Sequence, residues 1–148
     1  GKPGRTYSVA VAAIDNAGHL NVNVADTDVT LPFDDKANQL SKAWSHKTNG
    51  KAYASTVSVA SKKGTLAKLT VQGTVVGILV DYGPKNGILQ LKVDGKVVKT
   101  IDTGGTTRWA VPVTVTRKAG KHVVTVTVLG THKHGSTAQV LLDGFIAH

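Results

Sequence analysis

The sequence predicts an all-β fold, an antiparallel β-sandwich, and three observations carry that prediction. Apolar and polar residues alternate along most of the 148-residue chain, the i, i+3, i+4 spacing of an amphipathic helix is missing, and turn signals recur at hairpin intervals. Alternation places one face of each strand in a core and the other in water, so strands with nothing helical between them must cover one another as two layers.

The predicted strands are residues 7–14, 56–59, 66–71, 75–80, 88–93, 96–101, 109–116, 122–129 and 139–147. Val, Ile and Thr dominate them, because β-branched side chains suit a pleated, half-buried surface. Between them stand Asn16-Ala17-Gly18, Lys63-Gly64, Gln72-Gly73, Asn86-Gly87, Asp94-Gly95, Gly104-Gly105 and Ala119-Gly120. Asp94-Gly95 is the sharpest, since a two-residue type I′ hairpin needs positive φ twice and this pair supplies it at little cost. Residues 33–49 alternate poorly and follow Pro32, which predicts a turn-rich loop around Trp44, with a helical turn over 35–41 as the alternative.

Composition narrows function. Neither Cys nor Met occurs, which excludes disulfides, thiolate metal sites and thiol nucleophiles. No run of 18 apolar residues suggests a membrane span, and Gly1-Lys2-Pro3-Gly4 lacks the apolar stretch of an export signal. Lys and Arg total 18 against 9 acidic residues, a net charge of +9 that draws the chain toward polyanions; a general solubility charge is the alternative. Clusters such as Lys62-Lys63-Lys68 and Lys92-Lys96-Lys99 would decorate hairpin edges, where Lys also blocks edge-to-edge pairing. No helix to enter a groove and no stacking pattern of an RNA-recognition sheet accompanies them, so no specific nucleic-acid partner is expected.

Two stretches resemble known families. Pro3-Gly4-Arg5-Thr6-Tyr7-Ser8-Val9 through Asp15-Asn16-Ala17-Gly18 is similar to the last hairpin of a fibronectin type III domain. That resemblance covers about residues 3–24, too few to close a sandwich. It implies a first unit over residues 1–25, either the tail of a fibronectin-like domain or extra strands on the main sheet.

From about residue 29 onward, Phe33-Asp34-Asp35, Trp44-Ser45, Gly83-Pro84-Lys85-Asn86-Gly87, Val93-Asp94-Gly95-Lys96 and Val140-Leu141-Leu142-Asp143-Gly144-Phe145 follow in an order and spacing that fit a known pattern. The series resembles the jelly-roll, galactose-binding-like modules of the carbohydrate-binding class found in secreted actinobacterial-type proteins. It implies a second unit over residues 26–148 that is secreted or at the cell surface of a bacterium, non-catalytic, monomeric, and part of a multidomain chain. Its expected partner is carbohydrate or an anionic cell-surface polymer. Where such modules often carry Trp before the Gly-Pro turn, this chain has Asp81-Tyr82.

Site residues follow from chemistry. A sugar ring presents a face of C–H groups that stacks on an aromatic, so binding needs an exposed Trp or Tyr. Trp44 and Tyr82 are the first candidates, with Tyr53 and Trp109 behind them, and each has a core role as its alternative. The resemblance also implies calcium held by Asp34, Asp35 and Asp143, carboxylates being the ligands that calcium takes. The alternative makes Asp34-Asp35 a cap and Asp143 an acceptor for backbone donors. His132 and His134, two apart, would share one strand face and suit a metal or haem iron if strand-borne, or stand in a solvated loop. No Gly-x-Ser-x-Gly elbow joins Ser, His and Asp, so no catalytic residues are expected. The remaining alternatives are a structural or adhesive spacer and a cationic binder of polyanion or haem.

Overall fold

The computed structural model describes residues 1–11, 14–19, 25–37, 39–132 and 137–148. Its strands are β1 (Thr6–Val11), β2 (Ala25–Thr30), β3 (Phe33–Asp34), β4 (Gln39–Leu40), β5 (Ser45–Thr48), β6 (Thr56–Ala60), β7 (Leu66–Tyr82), β8 (Ile88–Val93), β9 (Lys96–Asp102), β10 (Arg108–Gly130) and β11 (Val140–Ala147). Two single 3-10 turns, Asp35–Ala37 and Tyr53–Ser55, are the helical elements among the described residues. The segment expected as a loop thus contains three short strands and one such turn.

Gln72-Gly73 and Ala119-Gly120 are bends within strands, not the hairpin turns that the sequence suggests. β7 and β10 run unbroken through them, and Gly73 lies opposite Gly120 in the ladder. The register slips between Thr116 and Gly120, a bulge that turns both strands together. A side chain at Gly73 would place its Cβ 2.7 Å from the His148 carbonyl oxygen, so the C-terminus closes against this bend. Thr74 and Val75 donate their N–H groups to the same carbonyl.

The hydrogen-bonded order is β5-β6-β11-β7-β10-β8-β9, with β3 on β11 and β4 on β7. Because β7 and β10 bend midway, this order folds into two layers. The first comprises β5, β6, β11 and the 75–82 and 108–116 halves of β7 and β10. The second comprises β4, the 66–73 and 120–130 halves, then β8 and β9. Val76, Ile78, Val80, Leu142 and Phe145 from the first layer meet Leu89, Leu91, Val124, Val126 and Val128 from the second in one fully buried core. Each such side chain contributes about 1.5 to 3 kcal/mol on burial. The Asp94-Gly95 turn forms as expected, with φ of 53° and 76° joining β8 to β9.

β1 and β2 pair only with each other among the described ladders. Their hairpin stands over Leu79, Pro112 and Ile146 of the first layer, across a groove of about 620 Å³. Tyr7, Val9 and Val29 on it remain well exposed.

Candidate carbohydrate-binding groove

Tyr82 and Trp109, far apart in sequence, meet at one end of the first layer. Arg108 lies opposite Tyr82 in the β7–β10 ladder, and its guanidinium sits 4.0 Å above the ring centre. This stacking covers one face of the tyrosine and holds the ring in place. A bulge between Arg108 and Val111 then lets Trp109 stand out, 36% exposed, with Ala110 at φ 49°. Together with Lys85, Asn86, Thr107 and Gln139 they line a groove of about 230 Å³.

Asp81 organises this groove. Its carboxylate Oδ1 accepts from the Ala110 N–H at 2.9 Å and fixes the bulge, while its carbonyl accepts from Asn86 Nδ2 at 2.7 Å. Asn86 is buried and in turn lies 3.4 Å from Gln139 Nε2. The Gly83-to-Asn86 turn is closed by Asn86 N–H donating to the Gly83 carbonyl. Sequence reasoning noted Asp81 beside Tyr82 but gave it no role; the signal was an acidic residue at the end of a run of buried strand positions.

Trp44 does not join this site, and the expectation that it offers a sugar platform is corrected. It is 8% exposed, packs in the core, and its indole N–H donates to the Leu66 carbonyl at 2.8 Å. A polar stretch around it in sequence gave the opposite impression, because that stretch pairs into the main sheet, β4 on β7 and β5 on β6. Tyr53, half-buried, stands beside the acidic residues rather than at the groove, and its backbone N–H donates to Asp143 Oδ2 at 3.1 Å. Burial and the charge of Asp34 push its phenol upward.

Asp35, Asp81 and Asp143 are completely buried, with Asp34 beside them. Burial alone would raise the Asp35 carboxyl, but hydrogen bonds from Ser58 at 2.6 Å and Thr56 at 2.7 Å outweigh it and hold it below the usual range. Burial raises Asp34 and Asp81. Asp143 is pushed up to about 7 by burial and then by the charges of Asp81, Asp35 and Asp34. Asp81 Oδ2 and Asp143 Oδ1 are buried oxygens without a hydrogen-bond partner. Carboxylate oxygens are the donors that calcium takes. Among the described residues, no three such side chains converge on one point.

His132 lies against Asp102, Nδ1 to Oδ2 at 2.5 Å, and His134 is outside the described residues. No helix among the described residues is long and apolar enough to cross a membrane.

No family model matches the chain, and no curated protein matches it. Solved structures do. A two-domain esterase active on acetylated mannans, co-crystallised with mannopentaose, superposes with a TM-score of 0.63 at 17% identity, covering 79% of this chain and 35% of its own. The family 35 carbohydrate-binding module from Clostridium thermocellum gives 0.53 at 16% identity, covering 76% and 92%. The CBM36-1 domain of a multidomain xylanase from the hindgut metagenome of Trinervitermes trinervoides gives 0.54 at 13%, covering 76% and 91%. The chain therefore spans about a third of the esterase but nearly the whole of the two modules. Its fold is the antiparallel jelly-roll β-sandwich of carbohydrate-binding modules.

Proposed function

We propose that this chain is a non-catalytic carbohydrate-binding module of a larger secreted protein, and that it grips its glycan at the Tyr82–Trp109 groove. The observation that carries the reading is Trp109, exposed on a bulge that a buried aspartate holds in place, beside a locked tyrosine and two side-chain amides. Stacking supplies affinity and the amides of Asn86 and Gln139 orient hydroxyls, a division of labour usual in sugar sites. The two modules with nearly full coverage, named for carbohydrate binding, support the class of ligand. The exposed apolar stripe of Tyr7, Val9 and Val29 supports reading the N-terminal hairpin as the tail of a fibronectin-like unit.

A glycan array probed with the whole chain at low and at 0.5 M salt tests the proposal. Salt-resistant binding to a defined neutral sugar is expected, weakened about ten-fold or more by Trp109→Ala. Binding to nothing would leave a spacer role. Calcium belongs to the same proposal: Asp143 and Asp81, with the charge of Asp34 and Asp35, would hold it as a structural ion. A higher melting temperature in calcium than in EGTA, absent in Asp143→Asn, is the expected result; equal melting in both would remove the ion from the account.

A further inference from the structure

Alternation along the second layer turns a distinct set of side chains to solvent. Lys68 of β7 pairs with Thr125 of β10, which pairs with Lys92 of β8, making one straight row across three strands. The neighbouring row runs Leu66, Thr127, Gln90 and Thr100, with the Thr127 hydroxyl itself buried. Beyond it the same face opens into a groove of about 640 Å³ beside Lys63, Ile88 and Leu129.

Lysines, hydroxyls and a primary amide thus share one face with scattered aliphatic side chains. No carboxylate stands among these rows. The chain contains no Glu, and the two Asp residues at the ends of β8 and β9 are engaged: Asp94 by His122 at 2.7 Å, Asp102 by His132. Lys68 and Lys92 stand two strand spacings apart, roughly 10 Å. That interval is the length of a disaccharide in an extended glycan.

We propose that the outer face of the second layer binds a linear acidic polysaccharide carrying one carboxylate per disaccharide, with Lys68 and Lys92 each meeting one carboxylate, and with Thr125 between them and Gln90 in the neighbouring row meeting hydroxyls. Charge complementarity selects the polymer, and the row spacing selects its charge density. This surface lies apart from the Tyr82–Trp109 groove, and the two are separately testable.

The probe is hyaluronan, with carboxyl-reduced hyaluronan as its neutral match, titrated against the full chain at several salt concentrations. Binding to hyaluronan and not to the reduced polymer is expected. Lys68→Gln with Lys92→Gln should weaken it about ten-fold and flatten the plot of log affinity against log salt by roughly one to two units, since each cation that meets a charge releases counterions. Lys47→Gln with Lys51→Gln, on the first layer and the turn after it, should change neither. Trp109→Ala should leave hyaluronan binding intact while weakening neutral-sugar binding about ten-fold or more. The proposal fails if the two lysine pairs lose affinity equally, if the reduced polymer binds as well, if Trp109→Ala abolishes hyaluronan binding, or if hyaluronan does not bind at all.

Discussion

The aromatic groove and the lysine face are built from opposite halves of the same two strands, yet they carry different chemistries. On one side of the bend β7 ends in Asp81-Tyr82 and β10 begins with Arg108-Trp109; on the other, β7 shows Lys68 and β10 shows Thr125. In the first region acidic side chains are buried and hold backbone in place. In the second, cations and hydroxyls are left in water with carboxylates kept to the margins. The difference teaches that a net charge of +9 is a poor guide to where a ligand sits, because the positive surface follows from where the Asp residues are hidden as much as from where the Lys residues stand.

The largest expected effect tests whether the two regions share one core. Trp44→Ala empties a core site and gives up its hydrogen bond to Leu66, so chemical denaturation should show a loss of about 3 to 5 kcal/mol. Binding at both surfaces should persist wherever the variant is still folded, since Trp44 meets the lysine face only through the Leu66 backbone carbonyl and the groove not at all. A smaller effect separates the regions. Asp81→Ala strips the Ala110 N–H of its acceptor, costing about 1 to 3 kcal/mol, and frees the Trp109 bulge. Neutral-sugar affinity should fall while acidic-glycan affinity holds; a parallel fall in both would show the regions to be one site.

Salt sharpens the contrast without mutation. Raising it to 0.5 M should leave groove binding nearly constant and suppress binding at the lysine face, as isothermal titration would record.

The smallest effect is at the margin of that face, where the Asp94 hydrogen bond raises His122 above its usual value and His122 lowers Asp94. A histidine raised on folding contributes stability that is complete below about pH 6.5 and is lost as pH climbs through its folded value. An aspartate lowered on folding contributes above about pH 4 and loses that contribution as pH falls. The pair therefore steadies the β8–β9 turn most between those limits. An NMR titration should place the His122 midpoint above 6.5, and Asp94→Asn should bring it down.

Much of the sandwich is legible in the sequence because a period of two is a direct record of burial: Leu89, Leu91 and Val93 read as one face and are one face. The Asp94-Gly95 hairpin is legible because its φ requirement is local. The continuous strands are not, since Gly73 and Gly120 carry the same composition signal in a bend as in a turn, and only long-range pairing decides between them. The groove is half legible. Tyr82 and Trp109 stand out as aromatics, but their meeting depends on ladder register, and Trp44 misleads because the polar residues around it pair into the main sheet while the ring itself enters the core. The role of Asp81 is not legible because it is addressed to backbone 29 residues away.

Two strands that traverse both layers also govern how the molecule opens. With β7 spanning 17 residues and β10 spanning 23, neither layer can detach without tearing the ladder that belongs to the other. Amide hydrogens on β8 at one extreme and on β11 at the other should accordingly exchange with solvent through the same global event, at one common free energy, while the β1–β2 hairpin, bonded among the described ladders to neither layer, exchanges on its own.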